Sequence, residues 1–135
     1  MRDRDDAVRE SSLEIVNQWI HLFNTDVHRM VDEVYSDDFR LVIPGLVDVT
    51  GKGRLHELED QVLTAAPDRR GTILSSALTD DHTIVHGELK GSDPDTGREW
   101  TTYWCSFLTL REGQVTSDLS YIDPSAWPGF RTRNA

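Results

Sequence analysis

The sequence has 135 residues, of which 37% are hydrophobic and 28% charged, and this composition suits one soluble domain spanning residues 1–135. Its net charge of −10 argues against nucleic acid and anionic membranes as partners, because both attract basic surfaces. The single cysteine, Cys105, excludes a disulfide framework within the chain and indicates a reducing, cytoplasmic location. No apolar run approaches the roughly 20 residues that a membrane helix needs.

Three helices are predicted in the first half of the chain. The first begins at Ser11, where the sequence fits a capping box, and it ends at Asn24. Either Thr25 or Asp26 caps the second, in which apolar residues recur at intervals of three and four. The third follows a glycine-framed turn over residues 51–53 and again carries an apolar stripe.

Strands are predicted on either side of the third helix and throughout the second half. The longest segment, residues 98–123, is typical of an antiparallel hairpin closed by Arg111-Glu112-Gly113. Residues 1–10 are predicted to be a charged lead-in, and residues 124–135 an irregular tail. The other predicted strands occupy residues 39–43, 72–78 and 83–90, and residues 46–50 are predicted to be an extended segment.

Helices followed by antiparallel strands predict an α+β fold rather than an alternating one. We expect a curved antiparallel or mixed sheet of four to six strands that wraps around three N-terminal helices and encloses a pocket. Both faces of the long hairpin are apolar, so we expect one face to pack on the helices and a second copy of the chain to cover the other. The sequence therefore predicts a homodimer with a small-molecule pocket in each subunit.

Four stretches carry a resemblance to a known superfamily: IVNQWIHLFN, VDEVYSDDFRLVIPG, GKGRLHELEDQV and FLTLREGQVTSDLSYID. In order and spacing they resemble the nuclear transport factor 2-like, or SnoaL-like, superfamily, over roughly residues 12–124. The resemblance implies a cone-shaped α+β fold. It leaves the reaction open, since the superfamily contains isomerases, dehydratases, epoxide hydrolases, polyketide cyclases and non-catalytic binding domains.

The resemblance also argues against two mechanisms of that superfamily. Ketosteroid isomerases have a carboxylate base where this chain has Ile43, and their oxyanion-binding Tyr and Asp fall on Trp19 and Cys105. Limonene-type epoxide hydrolases have an Arg, an Asp and a further Asp where this chain has Tyr103, Cys105 and Ser120. Neither set of catalytic groups is present.

His86 and Asp118 remain as the predicted catalytic pair. His86 and Glu88 share one face of their strand about 6.6 Å apart, and an imidazole titrates near neutrality, which suits general acid–base catalysis. Asp118 on the last strand is expected to orient His86 or share its proton. The resemblance supports this pair, because cyclases and dehydratases of the superfamily often use a His and an Asp in such positions. Alternatively, His86 and Glu88 form a solvated face or a dimer surface.

No metal is expected, because His82 and His86 lie about 13 Å apart along one strand and the other histidines lie on separate helices. No cofactor is expected either. The sequence predicts a cofactor-independent acid/base enzyme of the isomerase, dehydratase or polyketide-cyclase type, acting on a small apolar organic molecule. The alternative is a non-catalytic ligand-binding or assembly domain of the same fold. Residues predicted to line the pocket are Trp19, Tyr35, Ile43, Glu88, Tyr103, Cys105, Phe107 and Ser120.

Overall fold

The computed structural model describes residues 2–128, with side chains from residue 6 onward. No helix in this part of the chain is both long and apolar enough to cross a membrane. The helices are α1 (Arg2–Thr25), α2 (Val27–Val34) and α3 (Lys52–Ala65). The strands are β1 (Tyr35–Ile43), β2 (Val47–Thr50), β3 (Arg70–Leu78), β4 (Thr83–Ser92), β5 (Glu99–Arg111) and β6 (Gln114–Ile122).

The ends of the first two helices refine the predicted boundaries. Helix α1 begins at Arg2, so most of the predicted lead-in is helical and Ser11 lies inside the helix rather than at its cap. Of the two candidate caps for α2, Asp26 has this role, since its carboxylate accepts a hydrogen bond of 3.2 Å from the backbone N–H of Arg29. Residues 129–135 of the predicted tail lie outside the described residues.

The six strands form one sheet in the order β2-β1-β6-β5-β4-β3. Strands β1 and β6 are parallel, and the other neighbours are antiparallel. Glu112 and Gly113 close the hairpin between β5 and β6 with φ angles of 51° and 78°, as a two-residue turn with left-handed residues requires. The predicted α+β fold, a curved mixed sheet around three helices, is confirmed.

The hydrophobic core lies between the helices and the inner face of the sheet. Five of its larger side chains are fully excluded from solvent, and each stabilises the fold by roughly 1.5–3 kcal/mol relative to exposure. They come from α2 and from four different strands, so the core joins the helical layer to the sheet from β1 to β4. These residues are Val31, Phe39, Val85, Leu108 and Val115.

The inner face of β5 is the opposite of the one predicted. Trp104, Ser106 and Leu108 are buried against the helices, whereas the face that carries Tyr103 points outward. The pairing of Leu108 with Asp118 places both on the inner face. Because side chains alternate along a strand, an error of one position exchanged the two faces.

Candidate active site

A cavity of about 110 Å³ lies between the inner face of the sheet and helices α1, α2 and α3. Its wall is mostly apolar, and aromatic rings make up much of it, namely Trp19, Phe23, Tyr35, Trp104 and Trp127. Polar groups reach it from two sides, one carboxyl on α3 and another on β6. Of the predicted residues, the structure places Trp19, Tyr35, Ile43, Asp118 and Ser120 in this wall.

A continuous chain of hydrogen bonds ends on Asp118. The indole N–H of Trp19 donates to the hydroxyl of Tyr35 over 3.1 Å, and this hydroxyl donates to Oδ2 of Asp118 over 3.0 Å. On the other side, the hydroxyl of Ser120 donates to Oδ1 over 2.6 Å. Because that proton is used, the 2.7 Å contact between Ser106 and Ser120 has Ser106 as donor. Every hydrogen bond in this series is therefore donated in the direction of the carboxyl group.

Two opposing effects set the charge of Asp118. The side chain is 3% exposed, and burial raises its pKa to about 6. The hydrogen bonds from Ser120 and Tyr35 act in the opposite direction, because they stabilise the charged form. The pKa of Tyr35 is raised well above 10, first by burial and then by the charge of Asp118, so its hydroxyl remains a donor near neutral pH.

Glu59 on α3 is a second buried carboxyl in the same wall, and it is 7% exposed. Its Oε2 atom is buried and has no hydrogen-bond partner in the described part of the chain. Burial raises its pKa to about 7; the charges of Arg69 and His28 act to lower it, and that of Asp118 to raise it. Arg69 is engaged elsewhere, since its guanidinium lies 4.2 Å from the centroid of the Phe23 ring.

Sequence reasoning missed Glu59, although the sequence contains a signal for it. Glu59 lies between Leu55 and Val62 on the stripe of α3 that faces the core, so a carboxyl occupies a position where the helical period calls for an apolar residue. Trp104 and Ser106 were missed for a different reason, namely the exchanged faces of β5.

The structure does not bring His86 and Asp118 together, so the predicted catalytic pair is wrong. On β4 the inward residues are Val85 and Leu89, which leaves His86 exposed on the outer face. There its ring stacks against Tyr103, with 6.3 Å between the centroids. The sheet itself separates this imidazole from the cavity.

The other four predicted residues on the same outer face do not line the cavity. Glu88 forms an ion pair of 3.4 Å with Lys90, its neighbour on the same side of β4. Tyr103 is 50% exposed, while Cys105 and Phe107 are half-buried between neighbouring strands. These positions agree with the alternative interpretation, in which this face is solvated or covered by another chain.

The two buried carboxyls give the cavity its chemical character. Burial raises the pKa of both, but Asp118 accepts two hydrogen bonds that stabilise its charged form whereas Oε2 of Glu59 accepts none in the described part of the chain, so Asp118 ionises more readily than Glu59. Two acids held in different protonation states can accept a proton at one point and deliver one at another. Among the described side chains, no group of three His, Cys, Asp or Glu residues could hold a metal ion.

Comparisons with known proteins agree with this fold. The sequence profile of the SnoaL-like domain matches residues 16–117. No curated protein has a sequence that matches this chain.

Several solved structures share the fold at low sequence identity. A protein from Jannaschia sp. CCS1, assigned to the SnoaL-like polyketide cyclases, is 15% identical with a TM-score of 0.77, over 91% of this chain and 94% of that one. A Catenulispora acidiphila protein with a ketosteroid isomerase-like fold, bound to trimethylamine, is 17% identical with a TM-score of 0.76, over 87% and 94%. An epoxide hydrolase from M. tuberculosis is 13% identical with a TM-score of 0.72, over 90% of each chain.

Proposed function

Because the chain belongs to the SnoaL-like domain family, we propose that its cavity is the active site of a cofactor-independent acid/base enzyme. The substrate is a small, largely apolar organic molecule. Asp118 is the general base, and protonated Glu59 is the general acid. The observation that carries this proposal is the presence of two buried carboxyls with raised pKa values on one apolar cavity, one accepting two hydrogen bonds and the other with an unpartnered oxygen.

The proposed reaction is a proton transfer at carbon. Ionised Asp118 removes a proton next to a carbonyl group, and Glu59 donates one to the oxygen or carbon at which negative charge develops. Isomerisation, dehydration and ring closure all proceed through such a step. The polyketide cyclases among the structural neighbours are compatible with this chemistry.

The test first identifies a ligand and then measures proton exchange on it. Hydrophobic ketones, epoxides and polyketide-like compounds are screened for thermal stabilisation, since a bound ligand shifts unfolding by mass action. For each ligand found, exchange of its acidic C–H protons with deuterated water is followed by NMR. We expect Asp118→Asn to slow this exchange by roughly 10²- to 10⁴-fold. We expect Glu59→Gln to slow the conversion of any ligand that is also a substrate, because the general acid is lost. His86→Gln is the control and should have no effect. Wild-type rates in both carboxyl variants would contradict the proposal.

A second candidate is the binding of an organic cation without chemistry. It is favoured by the unpartnered Oε2 of Glu59 beside several aromatic rings, because carboxylates and π faces both attract ammonium groups. The trimethylamine bound by the Catenulispora acidiphila protein is of this class. In this case trimethylamine affinity should increase from pH 6 to pH 8, as the carboxyls ionise, and Glu59→Gln should weaken it. No deuterium exchange should occur in any ligand.

We also propose that the protein is a cytoplasmic homodimer. Tyr103 and Tyr121 are each about half exposed on the outer face of the central strands, beside the partly buried Phe107. A second copy that covered this face would bury these rings. The free thiol of Cys105 on the same face suits a reducing compartment.

A further inference from the structure

Helices α2 and α3 carry the same four-residue spacing, a histidine followed by an aspartate one turn later. On α2 these are His28 and Asp32, and on α3 they are His56 and Asp60. Each histidine bonds to the aspartate of the other helix. Nε2 of His28 lies 2.7 Å from Oδ1 of Asp60, and Nε2 of His56 lies 2.8 Å from Oδ1 of Asp32. The remaining ring nitrogens, both Nδ1, are 2.6 Å apart.

These contacts require one proton more than two neutral imidazoles carry. An ionised carboxylate only accepts hydrogen bonds, so the Nε2 atoms of His28 and His56 must both be protonated. That uses the single proton of each neutral ring. A contact of 2.6 Å between two Nδ1 atoms then needs a third proton, because two lone pairs would otherwise face each other.

The geometry selects a proton rather than a metal ion between the nitrogens. The ring planes of His28 and His56 differ by 25°, and their centroids are 4.9 Å apart. This separation equals the distance between the two Nδ1 atoms plus one ring radius on each side, so the rings meet head to head. Two in-line nitrogens would have to be about 4 Å apart to hold a zinc ion at its usual bond length of about 2.0–2.1 Å.

We propose that these four side chains form a proton-holding link between α2 and α3, which takes up one proton when the helices pack and releases it when they separate. The inference does not depend on the proposed function. Beyond its four members, charged groups nearby are Glu59 and Lys52. The Lys52 ammonium donates to the carbonyl of Asp32 over 2.8 Å and lies 3.3 Å from Asp37. Among the described residues, no group of α1, β1 or β6 bonds to either ring.

The link also places a positive charge near the cavity. Helix α3 carries Glu59 next to Asp60, and the charge of His28 acts to lower the pKa of Glu59. Loss of the shared proton should therefore shift Glu59 toward its protonated form. In this way the protonation of a surface cluster is coupled to a group in the cavity wall.

The experiment measures the shared proton directly and then its effect on stability. We expect NMR of the wild-type protein to show one strongly downfield imidazole N–H coupled to Nδ1 of both rings. His56→Gln and His28→Gln should remove this resonance, because glutamine can still donate to the carboxylate but offers no Nδ1. His21→Gln is the matched control, a histidine replaced on the exposed side of α1, and should keep it.

Stability provides the second readout. The folded state binds the extra proton, so the free energy of unfolding decreases as pH rises above neutral. The wild-type folding equilibrium constant should fall relative to that of His56→Gln by up to tenfold per pH unit where the proton leaves. The inference is overturned if the wild-type protein shows no shared N–H resonance, or if the wild type and His56→Gln keep a constant ratio between pH 6 and pH 9.

Discussion

Glu59 illustrates at the scale of one residue how a group suited to catalysis can reduce stability. Its folded pKa of about 7 is higher than the ordinary value of 4.5, because burial disfavours the charge. The protonated form therefore fits the fold, and the associated stability is present below pH 4.5 and lost as pH rises through 7. The same burial that keeps the acid protonated thus weakens the fold when it ionises.

We predict that Glu59→Gln stabilises the protein at alkaline pH. The amide cannot ionise, so the free energy of unfolding should rise by up to about 3 kcal/mol at pH 8 and change little at pH 4. Urea unfolding between pH 4 and pH 8 measures this difference. Glu57→Gln, an exposed change on the same helix, is the control and should not alter the profile. Parallel profiles for wild type and Glu59→Gln would show that Glu59 ionises freely in the fold.

Tyr35 joins two buried groups through one hydroxyl, and we predict that Tyr35→Phe affects both. The indole N–H of Trp19 and Oδ2 of Asp118 would lose their shared partner, at a cost of about 1–3 kcal/mol in the free energy of unfolding. The pKa of Asp118 should rise above about 6, because the lost hydrogen bond stabilises its charged form. Urea unfolding and a ¹³C NMR titration of the carboxyl group measure the two effects.

Tyr103→Phe is the matched control for this change. It removes a hydroxyl from a tyrosine that is 50% exposed on the outer face. Neither the stability nor the pKa of Asp118 should change by a measurable amount. An unaltered titration of Asp118 in Tyr35→Phe would contradict the hydrogen-bond chain inferred for the cavity.

At the scale of elements, the wall of the cavity depends on a close approach between β4 and β5. Gly87 pairs with Trp104, and a Cβ atom at Gly87 would lie 2.2 Å from the Trp104 ring. A glycine at this position therefore lets the indole lie flat across the neighbouring strand. That placement keeps the ring in the cavity wall, where it also meets Trp19 edge-on at 6.3 Å between centroids.

We predict that Gly87→Ala displaces Trp104 and lowers the free energy of unfolding by about 1–3 kcal/mol, as overpacking of a core does. It should also weaken thermal stabilisation by any ligand of the cavity. The control is Gly53→Ala on α3, where an added Cβ meets nothing within 4 Å. That change should stabilise the protein by about 0.5–1 kcal/mol, because alanine favours a helix. Equal effects of the two substitutions in urea unfolding would refute this explanation.

The elements also show how far the sequence could predict the molecule. Hydrophobic periodicity and turn residues were sufficient for the three helices, five of the six strands and the hairpin turn at Glu112 and Gly113, and they predicted β2 only as an extended segment. They could not choose the inner face of β5, because both of its faces carry aromatic and small residues. The choice depends on contacts with the helices, which are distant in sequence. The choice of the inner face determines whether Tyr103 or Trp104 lines the cavity.

The site was less predictable than the fold for a related reason. Asp118 could be predicted as a candidate because it lies on the same face as Ser120. Its partner could not, because the position of Glu59 on α3 opposite β6 depends on how the helices cover the sheet. His86 was predicted to be catalytic because an imidazole suits acid–base chemistry. Alternation along β4 then placed it outside.

At the scale of the whole molecule, the net charge opposes the association of two copies, whereas the apolar outer face of the sheet favours it. Each chain carries a net charge of −10, so two copies repel at low ionic strength. The outer face offers apolar rings, with Tyr121 51% exposed and meeting Phe107 edge-on at 6.3 Å between centroids. Salt screens the repulsion but leaves apolar burial largely unaffected.

We therefore predict a dimer whose affinity increases with salt concentration. Sedimentation equilibrium at micromolar protein should show tighter association at 0.5 M than at 0.05 M NaCl, values at which the screening length differs several-fold. Tyr121→Glu should give a monomer at both, because it adds a charge to the proposed interface. Val8→Glu adds the same charge at an exposed apolar residue of helix α1, on the other side of the sheet, and should leave the dimer intact. A wild-type protein that stays monomeric at both salt concentrations would mean that this face is exposed to water in solution.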